Sequence, residues 1–244
     1  MALSDSKAHN LYKKLKYNFL FNNDINCIHI LLNLYEIENN INNIFPKYVS
    51  LNYLRRQIRK LLKDRRGNYL IAYNLGQLIH EDINRLELFL YLEGYKQGYL
   101  NIKIANHLES KIIKYFSVSE LYNMKYLIHF DSTMSEIKKI KSKIFNNLKR
   151  KGKTNEYLDS IITNYTSSII KPKVLSLNKH LDKQLAIDYN SLSPNIKEDE
   201  ALLTLEELDG IYKEVIKIIL RNGQKLYYEA YWNGLNDRVL KRYK

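Results

Sequence analysis

The sequence predicts an all-α protein, a multi-helix bundle with two long central helices near 82–116 and 205–242. Apolar residues recur mostly at the three- and four-residue intervals of a helix, and clean alternation over strand lengths is rare. Only 8 glycines and 3 prolines punctuate 244 residues, fewer turn-formers than an all-β fold of this length needs. Hydrophobic residues make up 45% and charged residues 27%, which is a globular composition rather than a disordered one.

In chain order, helices are expected near 5–21, 24–44, 50–66, 68–80, 82–116, 118–130, 133–150, 155–170, 173–189 and 205–242. Ser50 is placed to cap the third of these, and Gly67 to end it. Ser117-Val-Ser-Glu120, Thr133-Met-Ser-Glu136 and Thr204-Leu-Glu-Glu207 each fit the capping box, where a hydroxyl and a carboxylate satisfy the first free amides. Pro46, Pro172 and Pro194 mark expected breaks, because proline cannot donate within a helix.

Residues 1–189 read as a helical bundle carrying basic helices. Residues 190–203, "NSLSPNIKEDEALL", read as a polar acidic linker with a Ser-Pro turn signal. Residues 204–244 read as a long C-terminal helix packing back on the bundle, so that the whole forms one domain. Charge is segregated along the chain. Leu181 to Gly210 holds eight acids and two bases, a local charge of −6, against a total of +13.

One internal echo links "YLEGYKQGYL" (Tyr91–Leu100) with "YYEAYWNGLN" (Tyr227–Asn236), which share Tyr, Glu, Tyr and Gly in identical spacing. Tyr91 and Tyr95 fall on one helical stripe, Tyr227 and Tyr231 on another, with Gly98 and Gly234 beside them. A mid-helix glycine costs up to about 1 kcal/mol against alanine, a cost that close approach of a second helix would justify. The two helices are therefore expected to cross at Gly98 and Gly234. The echo also resembles a pattern in small helical proteins of low-GC Gram-positive bacteria and their phages. In that pattern an aromatic residue precedes Gly-aromatic-x-x-Gly near a helix end. The resemblance covers some ten residues per copy and implies a helix type, not a site.

The stretch "LRRQIRKLLKDRR" (Leu54–Arg66) holds seven basic residues and one acid. On a helical wheel Leu54, Ile58, Leu61 and Leu62 gather on one side. Arg55, Arg56, Arg59, Lys60, Lys63 and Arg66 occupy the other, while Arg65 lies near the apolar edge and must pair or extend to solvent. An AT-rich coding sequence raises Lys and Tyr together without selection for anion binding, so the five arginines weigh more than the lysines. Arginine's planar fork suits bidentate phosphate contact. A second basic helix, "IKKIKSKIFNNLKRKGK" (Ile137–Lys153), has eight bases and no acid, with Lys138, Lys139, Lys143 and Lys149 opposite an isoleucine stripe. The C-terminus adds Arg238, Lys241, Arg242 and Lys244. Most of the 21 tyrosines sit at core spacing, but Tyr69, Tyr73 and Tyr126 lie near the basic helices, where they could stack on bases.

Enzymatic signals in the sequence are weak. His80-Glu81-Asp82 fails the HExxH pattern because Asn84 stands where the second histidine belongs. Cys27 and His29 are two apart and point to different helix faces. Glu93 and Glu229 fall on the polar side of their helices and read as solvated surface. No P-loop or dinucleotide fingerprint occurs, so no catalytic residue, cofactor or metal is expected. A single cysteine excludes an internal disulfide. The start of the chain lacks a secretory pattern, and no apolar run suits a membrane span, so a cytoplasmic protein is expected.

The sequence thus points to non-enzymatic binding of an anionic partner, most of all nucleic acid or a nucleoprotein held through its phosphates. The residues expected to carry this are Arg55, Arg56, Arg59, Lys60, Lys63 and Arg66, with Lys138, Lys139, Lys143 and Lys149 as a second patch. The alternative is a protein–protein module, such as a phage- or plasmid-encoded inhibitor of a host nucleic-acid enzyme. In that reading the acids near Glu198 to Asp209 mimic phosphates.

Overall fold

A computed structural model describes residues 49–65, 67–114, 117, 135–189 and 202–243. The expected helices at 5–21, 24–44 and 118–130 fall outside the described residues, as do Arg66, Tyr126, the Cys27–His29 pair and most of the acidic linker. All the described elements are helical. They are α1 (Leu51–Leu61), α2 (Asn68–Leu100), α3 (Ile102–Ile112), α4 (Ser135–Arg150), α5 (Lys153–Tyr165), a π-turn (Thr166–Ile170), α6 (Lys171–Leu175), α7 (Leu177–Tyr189) and α8 (Leu205–Leu240). A 3₁₀ turn, Lys241–Tyr243, follows. No described helix is long and apolar enough to cross a membrane.

The all-α bundle with two long helices is present, with different bounds. α2 begins at Asn68 rather than 82, because the polar run His80-Glu81-Asp82 does not interrupt it. No glycine or proline stands there, and Asp82 is buried and ion-paired with Lys173. The helix stops at Leu100 instead of 116. Asn101 takes over the backbone, its Oδ1 accepting from the Ile104 amide at 3.2 Å to cap α3. The capping box at Thr204 closes reciprocally. The Glu207 amide donates to Thr204 Oγ1 at 3.2 Å and the Thr204 amide donates to Glu207 Oε2 at 2.8 Å. Pro172 does not end its helix. The preceding turn widens to π geometry, with the Lys171 amide reaching the Thr166 carbonyl, which absorbs the hydrogen bond a proline cannot donate.

The chain divides into two compact units, each holding part of both long helices. One comprises Lys47–Glu87 and Gly152–Gln224. Its core is aliphatic, with Leu54 and Ile58 of α1, Leu75 and Ile79 of α2, Leu158 and Ile162 of α5, Val174 of α6, and Ile211 and Val215 of α8 all buried. The other comprises the described residues of Leu88–Lys151 and Lys225–Lys244, and its core is aromatic. Tyr91, Tyr95, Tyr99, Tyr227, Tyr228, Tyr231 and Trp232 are each at most 5% exposed.

In the aromatic unit the expected crossing is present. A Cβ added at Gly98 would collide with the Tyr231 backbone, and one at Gly234 would lie 2.7 Å from the Tyr99 amide nitrogen and strike the Tyr95 carbonyl. Gly94, not singled out in the sequence, meets the Tyr227 backbone in the same way. So close an approach leaves the tyrosines to hydrogen-bond across the pair. Tyr95 Oη donates to Asp237, Asn233 donates to Tyr91 Oη at 3.2 Å, and Asn101 donates to Tyr231 Oη at 2.8 Å. The same packing overturns the surface reading of Glu93. α2 is buried on nearly every side from Leu90 to Tyr95, so Glu93 has no solvent face and is only 8% exposed, accepting from Gln97 at 2.8 Å. Glu229 is half-buried, with Lys225 at 3.9 Å.

Candidate functional site

The α1 helix begins as its sequence requires. Ser50 Oγ accepts from the Tyr53 amide at 3.2 Å. It ends one turn earlier than expected, at Leu61. The chain then turns through Leu62–Arg65, and Gly67 (φ 72°) delivers it into α2. That φ lies in the left-handed region, which suits glycine. The early stop corrects the apolar face. Leu54, Ile58 and Leu62 are buried, but Leu61 is 44% exposed because it precedes the turn and has no core element over it.

α1 lies close on α2 at Gly76, where an added Cβ would stand 2.9 Å from Leu51 Cδ1 and 3.0 Å from Arg55 Cγ. The glycine inside an otherwise helical pattern was the visible signal for this close approach. The residue before Ser50 anchors the start of α1. Its amide, Val49 N, donates to the buried carboxylate of Glu87 at 3.0 Å, and His80 Nε2 donates to the Val49 carbonyl at 3.0 Å. Asn222 also donates to Glu87.

Burial pushes the Glu87 carboxyl up to about 7, against the smaller opposing effect of its hydrogen bonds from Asn222 and Val49. A raised folded pKa means that the folded state holds the proton more tightly. Stability from this group is therefore full below the unfolded value, near 4.5, and is lost as pH rises towards 7. At 1.36 kcal/mol per pH unit the swing is about 3 kcal/mol. Glu87→Gln should flatten this part of a thermal-melt series between pH 4.5 and 7.5. An unchanged pH slope in the variant would assign it to other groups.

The basic row divides by contact. Arg56, Arg59, Lys60 and Lys63 are exposed, and Arg55 is half-buried. Arg56, Arg59 and Lys60 have no carboxylate partner among the described residues, while Lys63 has its exposed neighbour Asp64 at 3.8 Å. Arg65 behaves as its edge position implied. It donates to Glu207 and to the Leu202 carbonyl, tying the stretch to the start of α8. Burial alone would raise the Glu207 carboxyl, but the Thr204 amide and the Arg65 guanidinium outweigh it and hold it below the usual glutamate range. The cleft of about 550 Å³ beside this pair is lined by Leu61, Leu62, Asp64, Arg65, Glu206, Glu207 and Gly210, with its one cation already engaged.

Three arginines of the row lie over tyrosine rings. Arg55 is 4.1 Å from the centroid of Tyr73, Arg59 is 5.1 Å from Tyr69, and Arg56 is 5.6 Å from Tyr53. Each such contact contributes roughly 0.5–1 kcal/mol at an exposed site. The expected stacking candidates Tyr69 and Tyr73 are thus brought onto the basic surface. Tyr53 joins them one turn before Arg56, a proximity the sequence contained but did not distinguish.

The second patch lies in the other unit. Lys138, Lys139, Lys143 and Lys149 are exposed on α4, and Ile144 is buried. Lys149 Nζ stands 5.6 Å from the Tyr228 ring, and Lys141 Nζ 5.4 Å from the Trp232 ring. The C-terminal cations are used internally. Arg242 pairs with Glu109 and Asn106, and Arg238 lies 5.4 Å from Tyr99. Lys244 falls outside the described residues.

Among the described residues, no group of three His, Cys, Asp or Glu side chains is placed to hold a metal. Comparison with protein-family models, with curated proteins and with solved structures returns no match for this chain.

Proposed function

We propose that the protein binds nucleic acid, or a nucleoprotein, non-enzymatically through phosphate contacts on the outer face of α1. The observation that carries this reading is the exposed row Arg56, Arg59, Lys60 and Lys63, with Arg55 at its inner edge. Arg56, Arg59 and Lys60 lack a carboxylate partner among the described residues, whereas Arg65 in the same stretch has one. Unneutralised cations in a row gain by displacing the counterions of a phosphate backbone. Lys138, Lys139, Lys143 and Lys149, all exposed on α4, supply a second basic surface.

A salt titration with random-sequence oligonucleotides tests this. Five cations on the row correspond to a slope of log K on log salt of about −3.5 for a single strand and about −4.5 for a duplex. Raising salt from about 50 to about 200 mM should weaken binding roughly 100- to 500-fold. No micromolar binding at low salt would remove the reading. A carboxylate-rich protein partner is the competing reading, supported by the way Arg65 takes Glu207. It predicts capture of a host protein that oligonucleotides fail to displace.

A further inference from the structure

We propose that the surface formed by α1 and the start of α2 takes unpaired bases, so that its ligand is single-stranded nucleic acid. This rests on the phosphate-binding reading of the same surface and specifies its substrate.

Tyr69 is 65% exposed and Tyr73 is 41% exposed. Among tyrosines whose side chains are described, only Tyr157 is comparably exposed, while those of the aromatic unit's core are buried. The exposure therefore does not follow from a tyrosine-rich composition. Tyr69 and Tyr73 are four residues apart on one helix, so their rings share a face about 6 Å apart along the axis. Each lies under an arginine of the basic row, Arg59 and Arg55 respectively.

A duplex hides the faces of its bases within the stack and offers an outside protein only base edges and phosphates. A bare tyrosine ring gains little from those. An unstacked base offers a planar face, which a tyrosine ring or a guanidinium plane can cover irrespective of sequence. Two ring–guanidinium pairs beside the exposed Arg56, Lys60 and Lys63 put ring faces and phosphate-binding charge, that of Arg55 and Arg59 included, on one surface. The inner face of α1 is occupied by its own core through Leu54 and Ile58, with Leu62 just beyond it also buried, so among the described residues the outer face of α1 is the one open to a ligand.

The test uses the full chain and labelled oligothymidine, oligouridine and duplex probes of about 15 nucleotides, at about 50 mM salt. The wild type should bind at least one single-strand arm about tenfold or more tighter than the duplex. Each stacked ring contributes a factor of roughly 5 to 150. Tyr69→Ala with Tyr73→Ala should thus weaken single-strand binding by about 25-fold or more, with duplex binding almost unchanged. Tyr69→Phe with Tyr73→Phe keeps the ring faces and should retain the single-strand preference, with circular dichroism showing both doubles folded. Equal wild-type affinity for duplex and single strand, or equal losses on both probes in the alanine double, overturns the single-strand proposal while leaving phosphate binding in place. Failure of the wild type to bind any probe overturns both.

Discussion

Gly98→Ala and Gly234→Ala should each cost about 3 kcal/mol or more, a methyl group being enough because its collision is with backbone. At Gly98 the added carbon meets the peptide of Tyr231. At Gly234 it meets the Tyr95 carbonyl and the Tyr99 amide. No side-chain rotation relieves such a contact, so the helices must separate. Separation would also stretch the hydrogen bonds from Asn101 to Tyr231 and from Asn233 to Tyr91. For a chain of this size the loss corresponds to a fall in Tm of roughly 6–12 °C. Gly210→Ala is the internal control with the opposite sign. It lies in α8 with open space where the methyl would go, so relief of the glycine penalty should stabilise by up to about 1 kcal/mol. Differential scanning calorimetry on the three variants decides the point. Near-wild-type melting for both Gly98 and Gly234 variants would sink the close-crossing account.

The second large effect is expected from reversing charge on the outer row. Arg56→Glu, Arg59→Glu and Lys60→Glu together should reduce oligonucleotide affinity at least about 100-fold at low salt. The salt slope should flatten from about −3.5 to about −1.4 on a single strand, as five contacts become two. These three are preferable to Arg55, which is half-buried against Tyr73 and Gly76, so that its reversal would disturb packing as well as charge. Glutamate is a good helix former, and none of the three supports the core, so the helical circular dichroism should be unchanged. Wild-type affinity in the triple variant would move the binding surface elsewhere, with Lys138, Lys139 and Lys143 on α4 the next set to reverse. A matching reversal there should give a smaller loss if α1 is the principal surface.

Much of this molecule is legible in its sequence. Helical periodicity marked α1, α4 and α8, and local chemistry marked the caps at Ser50 and Thr204, since a hydroxyl three residues before an amide acts within one turn. The Tyr-Gly echo located a helix crossing because a glycine in a helix interior demands a reason. The edge position of Arg65 implied that it must either pair or extend to solvent. The caps and the periodicity are decided within a few residues, and the sequence alone determines them; for the glycines and Arg65 it shows that a contact is needed, not with what.

Tertiary structure decided the rest. Whether Glu93 faces water depends on how many elements surround α2, and a helix buried on all sides has no polar face for a wheel to find. Asp82 is buried against Lys173, ninety-one residues away, a pairing that no local pattern reveals. Glu87 shows the same dependence. Its side chain looks like one more surface acid until Val49 and Asn222 converge on it in a site that excludes water. The outer row of α1 combines the two levels. Its charges are written in thirteen consecutive residues, but only the packing of α1 against α2 at Gly76 sets Arg55 and Arg59 over Tyr73 and Tyr69. Charge pattern is a property of the chain, whereas the pairing of a cation with a ring on another helix is a long-range contact that local sequence does not encode.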